Sequence, residues 1–132
     1  MAVVYTATLK TNRMQLVADL IASKTAVASS GTASQGNLVI GTSGMATVLA
    51  TIPLAATPGV VTADTLNFTT TGMTTTASGT GTAAAAEIRT NGGTPIVTGL
   101  TVGTSGTNIT INATAISTGQ TVTVSSAYIQ HG

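Results

Sequence analysis

Apolar residues recur at helical spacing in one stretch of the chain, LKTNRMQLVADLIASK at residues 9–24. An apolar stripe of this kind is typical of a helix that packs one face on a core. The stripe consists of Met14, Val17, Leu20 and Ile21, with Leu16 widening it. The charged residues Lys10, Arg13, Asp19 and Lys24 lie largely off the stripe. We expect an amphipathic helix over about residues 9–24, with Thr8, Thr11 or Asn12 as its N-cap.

The hydrophobic period changes from helical to two after residues 25–37, TAVASSGTASQGN, which we expect to be an exposed loop or linker. Short apolar runs separated by Gly, Pro and Asn follow, and such runs are typical of β-strands. The runs are NLVIG, ATVLATIPL, GVVTADTLNFT, AAAEIRT, TPIVTGLTVG, NITINATAI and QTVTVSSAYI. Residues 108–115 alternate Ile or Ala with Asn or Thr. This alternation gives a strand one face for a core and one uncharged face for water or a neighbour.

Turn residues separate these runs. NGG at residues 91–93 predicts a hairpin, because Asn and Gly accept positive φ angles. TSGTN at residues 104–108 and STGQ at residues 117–120 predict further turns. Residues 69–82, TTTGMTTTASGTGT, fit a strand, a long loop or a mobile surface equally well.

Together these patterns predict a single domain over residues 1–132 with a mainly β fold. We expect an antiparallel β-sandwich or jelly roll at about residues 38–132, preceded by one N-terminal amphipathic helix. The chain has no cysteine, so its core forms without disulfides or thiolate metal sites.

Charged residues are unusually few, at 5% of the chain, against about 25% in average soluble proteins. The net charge of +1 argues against nucleic-acid binding, which requires clustered basic residues. No apolar run approaches the roughly 18 residues that indicate a membrane-spanning helix. The N-terminal segment MAVVYTATLK does not have the pattern of a secretory signal. We therefore expect a soluble protein made in a cytoplasm, with neither nucleic acid nor membrane as a partner.

The tetrapeptide GTSG occurs at residues 41–44 and 103–106 but does not match a serine nucleophile elbow. That motif is G-x-S-x-G, and in both copies the second glycine comes one residue too early. The single histidine, His131, stands beside the C-terminal glycine, where it is poorly placed to serve a catalytic triad. We expect each GTSG to form the same tight turn after a strand.

Other candidate chemistry is equally weak. GTGTAA at residues 79–84 fits a dinucleotide-binding fingerprint, but no βαβ pattern surrounds it, so we expect a loop that runs into a strand. One histidine and three scattered acids are a poor supply of metal ligands. Glu87 and Arg89 share a strand face and predict a surface ion pair. The sequence thus predicts a protein that is not an enzyme, with no catalytic residues, cofactor or metal.

Low charge has a second implication. An uncharged, hydroxyl-rich β surface can be covered by identical neighbours or by a larger lattice, which favours a component of an assembly. Five segments resemble a family of small proteins encoded among the virion genes of tailed bacteriophages and prophages. They are TLKTNRMQLVADLI, MATVLATIPL, TGTAAAAEIR, IVTGLTVGTSGT and GQTVTVSSAYIQHG. The resemblance covers most of the chain in the same order, but the insert SKTAVASSGTASQGN and the small number of acids depart from it.

This resemblance implies a structural protein of the virion, namely a head decoration or cement protein on the capsid surface. The implied partner is the major capsid protein, and synthesis would take place in the cytoplasm of the bacterial host. We also expect a homo-oligomer, a dimer or trimer, with edge strands and the loops at residues 25–37 and 69–82 making the contacts.

Two alternatives remain. One is a tail, fibre or spike component that self-associates or binds a host glycan, for which Tyr5, Phe68 and Tyr128 would supply aromatic surface. The other is a hydrolase of unknown type, which would need His131 close to a serine and an acid.

Overall fold

The structure is a computed structural model that describes residues 6–22, 35–54, 59–62 and 65–130. It is mainly β with one N-terminal helix, which confirms the predicted fold class. The elements in chain order are α1 (Ala7–Ile21), β1 (Asn37–Gly41), β2 (Val48–Pro53), β3 (Gly59–Thr62), β4 (Thr65–Phe68), β5 (Thr74–Thr76), β6 (Gly81–Thr82), β7 (Ala85–Arg89), β8 (Pro95–Gly103), β9 (Ile109–Ile111), β10 (Ala115–Ile116) and β11 (Thr121–Gln130), with a 3₁₀ turn at Ser43–Met45.

Nine of these strands form one curled sheet in a sandwich-like arrangement around a core. The strand order is β2-β1-β7-β8-β9-β11-β4-β3, and β5 pairs with the first part of β11. The remaining strands, β6 and β10, pair with each other. All described pairs are antiparallel except β8 and β9, which run parallel with Val102 opposite Ile109. The long strand β11 therefore joins β9 on one side to β4 and β5 on the other.

The core lies inside the curled sheet and is built from aliphatic side chains of most strands. Its fully buried members include Leu38, Ile40, Leu49, Ile52, Leu66, Ile88, Ile109 and Val122. Helix α1 packs against β3, β4 and β8 and adds Met14, Ala18 and Ile21 to the same core. Burial of these apolar side chains is the main force that stabilises the fold.

The helix differs from the sequence prediction in its start and in its buried face. It begins at Ala7, and Thr6 is the N-cap, with its Oγ1 accepting a hydrogen bond from the Leu9 amide at 3.2 Å. None of the three predicted caps is used. The helix ends at Ile21 rather than near residue 24; Lys24 and most of the predicted loop, residues 25–34, lie outside the described residues.

The helix is rotated relative to the predicted apolar stripe. Leu16 and Leu20 are 38% and 42% exposed, whereas Asp19 is buried at 4%. The buried face instead contains Ala18, which is 5% exposed. Asp19 is accommodated because the Gln15 Nε2 donates a hydrogen bond to its Oδ1 at 3.1 Å. The sequence prediction placed Leu20 on the buried face because it considered mainly the large apolar residues. In the folded protein the smaller Ala18 is buried and Leu20 is exposed.

Every predicted strand run contains at least one strand, but two runs divide. GVVTADTLNFT forms the β3 and β4 hairpin, and NITINATAI breaks into β9 and β10. The predicted alternation fails after the break, because Ala115 is exposed and Ile116 is buried. Residues 69–82, which the sequence left undecided, supply β5 and β6.

The predicted turns are present. At the β7–β8 hairpin, Gly93 has φ of 91°, and the Thr90 amide donates a hydrogen bond to the Thr94 carbonyl at 2.8 Å. The two GTSG segments follow β1 and β8, and Gly44 and Gly106 both have φ of 67°. The two copies thus share a glycine at positive φ after a strand, but only the first enters a 3₁₀ turn, so the prediction that both form the same turn is wrong.

Candidate functional surface

A cluster of polar side chains lies where β5, β11 and β9 meet. Thr76 faces Thr121 and Thr74 faces Thr123 across the β5–β11 pairing, and all of them are exposed. Asn112, at the end of β9, lies on the other side of β11 and is also exposed. We call these residues, Thr74, Thr76, Thr121, Thr123 and Asn112, the threonine array.

Hydrogen bonds hold the threonine array in place. The hydroxyls of Thr74 and Thr123 lie 3.3 Å apart, and the Thr74 hydroxyl also donates to the Val122 carbonyl at 3.2 Å. Asn112 accepts from the Thr123 amide at 3.0 Å through Oδ1 and donates to the Thr121 carbonyl at 3.2 Å through Nδ2. Val122 and Val124, on the opposite face of β11, are buried in the core. Thr74, Thr123 and Asn112 of the array are thus ordered by hydrogen bonds before any partner binds.

The chemistry of this surface is hydrogen bonding without charge. Each threonine hydroxyl can donate one hydrogen bond and accept more than one, and its methyl group adds apolar contact. Because such groups are already ordered, a partner that binds them loses little side-chain entropy. The array suits a flat protein surface with complementary amides and hydroxyls.

Two further polar clasps lie outside the array. Thr101 on β8 and Asn108 just before β9 exchange hydrogen bonds of 2.9–3.2 Å through their side chains and amides. The hydroxyls of Thr80 and Thr118 lie 3.1 Å apart, and the Thr118 amide donates to the Thr80 hydroxyl. Both clasps use groups that carry no charge.

The predicted ion pair between Glu87 and Arg89 forms on β7, but it is not a surface pair. Glu87 is 8% exposed, whereas the Arg89 side chain is 31% exposed. The Arg89 guanidinium contacts the Glu87 Oε1. Glu87 stands opposite Val39, which is itself buried. Arg89 therefore neutralises a carboxylate that is nearly buried in the fold, and not one on the surface.

The residues weighed for catalysis lie partly outside the described structure. Ser43 and Ser105 lie in exposed turns after β1 and β8, and His131 lies outside the described residues. No group of three or more His, Cys, Asp or Glu side chains in the described residues is arranged to hold a metal ion. GTGTAA runs into β6 and then β7, so the loop-to-strand prediction is confirmed.

The sequence missed the threonine array because two of its five residues, Thr74 and Thr76, lie in the undecided segment. The sequence did contain a signal, because apolar Met73 and Ala77 lie on either side of the threonines. In the structure Met73 and Ala77 are buried, while Thr74 and Thr76 between them are exposed. That alternation has the period of a strand.

No family model, curated protein or solved structure matches this chain. In the part of the chain that the structure describes, no helix has the length and apolar content needed to cross a membrane.

Proposed function

We propose that this protein is a non-enzymatic structural subunit of a bacteriophage particle, and specifically a decoration or cement protein that binds the major capsid protein on the capsid surface. The observation that carries the proposal is the threonine array, an exposed, charge-free and pre-ordered hydrogen-bonding surface. The low charge of the whole chain and its resemblance to small virion proteins support the same function.

The proposed mechanism is mechanical. A subunit that binds the expanded capsid lattice and not its precursor stabilises the expanded state through linkage. Each contact is modest, but many copies act together on one shell. Uncharged contacts suit this role because their strength depends little on ionic strength. The protein would be made in the bacterial cytoplasm and then join the virion.

The described residues offer little support for the alternative, binding of a host glycan by a tail, fibre or spike component. Sugar sites commonly use an exposed aromatic face. Phe68 is 6% exposed and Tyr128 is half-buried, so neither offers an open ring. Tyr5 lies outside the described residues.

Sedimentation with capsids tests the proposal. Expanded and unexpanded capsids of the phage that encodes the chain are mixed with the purified protein and pelleted. We expect saturable binding to expanded capsids, and much weaker binding of a Thr123→Lys variant, which places a charge in the array. Thr94→Lys adds the same charge at the β7–β8 turn and serves as the matched control. Binding to cells or polysaccharide without binding to capsids would overturn the proposal.

A further inference from the structure

The two edge strands of the nine-stranded sheet, β2 and β3, differ in the hydrogen bonds made by their outer backbone groups. At the β2 end, the amides of Ser78 and Gly79 donate to the Leu49 carbonyl at 2.8 and 3.3 Å. Gly79 lies so close to this edge that an added Cβ would be 2.5 Å from the Val48 carbonyl oxygen. At the β3 end, β4 is the only strand among the described residues that pairs with β3. The β2 edge is thus partly covered. We call the opposite side of β3 the open edge, because no other strand of the described residues pairs there.

The backbone groups that β3 presents on its open side follow from its pairing. Thr62 and Thr65 flank a two-residue connection and form the closing pair of the hairpin. Hydrogen-bonded pairs alternate along an antiparallel ladder, so the N–H and C=O groups of Gly59 and Val61 point away from β4. Leu66 is opposite Val61 and pairs with Ile129 on the other side of β4, as the same alternation requires.

The open edge lacks the features that normally keep sheet edges apart. Soluble proteins protect such edges with lysines, prolines or bulges. The sequence of β3, GVVT, has no charge and no proline, and its register with β4 is unbroken. Val60 is 66% exposed, the highest value among the exposed large apolar side chains of the described residues.

We propose that β3 pairs antiparallel with β3 of a second copy of this chain, about a twofold axis through Val60. In this register Gly59 of each copy faces Val61 of the other, and each such pair exchanges both N–H···O=C bonds. Val60 then faces its own counterpart on the outer face, where its exposed side chain becomes buried. The result is one continuous sheet through two molecules.

A second copy is the occupant because the edge is self-complementary. The same residues supply the donors and the acceptors on both sides of the axis, as an isologous contact requires. The Ser78 and Gly79 amides already occupy the Leu49 carbonyl of β2, which disfavours head-to-tail pairing of β2 with β3, so we expect the assembly to close at a dimer. A net charge of +1 gives little repulsion between copies. This inference stands independently of the proposed function.

Light scattering coupled to size-exclusion chromatography, from low micromolar to millimolar protein, tests the pairing. We expect a monomer–dimer equilibrium that stops at the dimer. Val60→Lys would put two like charges opposite each other and raise the dimer dissociation constant by roughly tenfold or more. Val60→Thr keeps a neutral β-branched residue and should still dimerise. Thr51→Lys adds the same charge on β2, where Thr51 is exposed, and should leave the dimer intact.

Hydrogen exchange provides a second measurement that does not depend on any variant. The Val61 amide should become more protected as protein concentration rises, while the exposed Thr98 amide should not. A monomer at millimolar concentration, growth beyond the dimer, or a dimer equally weakened by Thr51→Lys would overturn the inference. So would a dimer that survives Val60→Lys but dissociates with Leu16→Glu, because the exposed helix face would then be the interface.

Discussion

Asn108 holds Thr101 in place through three hydrogen bonds. Its Oδ1 accepts from both the amide and the hydroxyl of Thr101, at 3.2 and 2.9 Å, and its own amide donates to the Thr101 hydroxyl at 3.0 Å. This clasp closes the loop between β8 and β9, which run parallel although only residues 104–108 connect them. Parallel neighbours usually need a much longer connection. The clasp gives hydrogen-bond partners to the amides of Thr101 and Asn108, which would otherwise lack them in this short connection.

Removal of the clasp should destabilise the protein. Asn108→Ala deletes the acceptor, and we expect the free energy of unfolding to fall by about 1–3 kcal/mol. Asn108→Asp keeps Oδ1 in the same position and should retain most of that stability. Urea denaturation of both variants measures the difference. Equal losses in the two variants would show that the acceptor is not what holds the loop.

The helix orientation predicts opposite results for two adjacent residues. Ile21→Ala creates a cavity in the core and should lower the free energy of unfolding by about 2–5 kcal/mol. Leu20→Ala removes a side chain that is 42% exposed and should lower it by less than about 1 kcal/mol. Thermal unfolding of the two variants under identical conditions compares them. A larger loss for Leu20→Ala would mean that the helix buries the stripe read from the sequence.

The buried position of Glu87 predicts coupling with Arg89. Arg89→Met removes the cation that neutralises a nearly buried carboxylate and should lower the free energy of unfolding by about 1–3 kcal/mol. Adding Glu87→Gln to that variant should restore part of the loss, because the buried charge is then gone. A double-mutant cycle measures the coupling. Strictly additive effects would mean that the pair behaves as two independent surface charges.

The turn after β8 requires glycine for its backbone angle rather than for space. Gly106 has φ of 67°, and an added Cβ would meet nothing within 4 Å. Gly106→Ala should therefore lower the free energy of unfolding by about 1 kcal/mol, and Gly106→Asn by less. Gly92→Ala is the matched control, since that glycine has no positive φ and its Cβ would also be unobstructed. Equal effects at Gly92 and Gly106 would contradict the account.

Local sequence patterns predicted much of this fold. Short apolar runs bounded by turn residues located β1, β2, β7, β8 and β11. The same reasoning located the hairpin at residues 91–93.

Features set by long-range contacts were not accessible to it. The parallel β8–β9 pair depends on the Thr101–Asn108 clasp, which local periodicity does not register. The burial of Asp19 depends on the packing of Ala18 and on the Gln15 side chain. The threonine array joins residues nearly fifty positions apart in the sequence. Local patterns can predict the separate strands, but they cannot predict that these strands pair.

The most direct test of the proposed function is the thermal stability of the capsid itself. Scanning calorimetry of expanded capsids should show an unfolding temperature that rises with added protein and then saturates, as linkage predicts. Thr123→Lys should need a higher concentration for the same rise, Thr94→Lys should match the unmodified protein, and unexpanded capsids should show no shift. An unfolding temperature of expanded capsids that does not change at saturating protein would contradict the claim that this protein stabilises the shell.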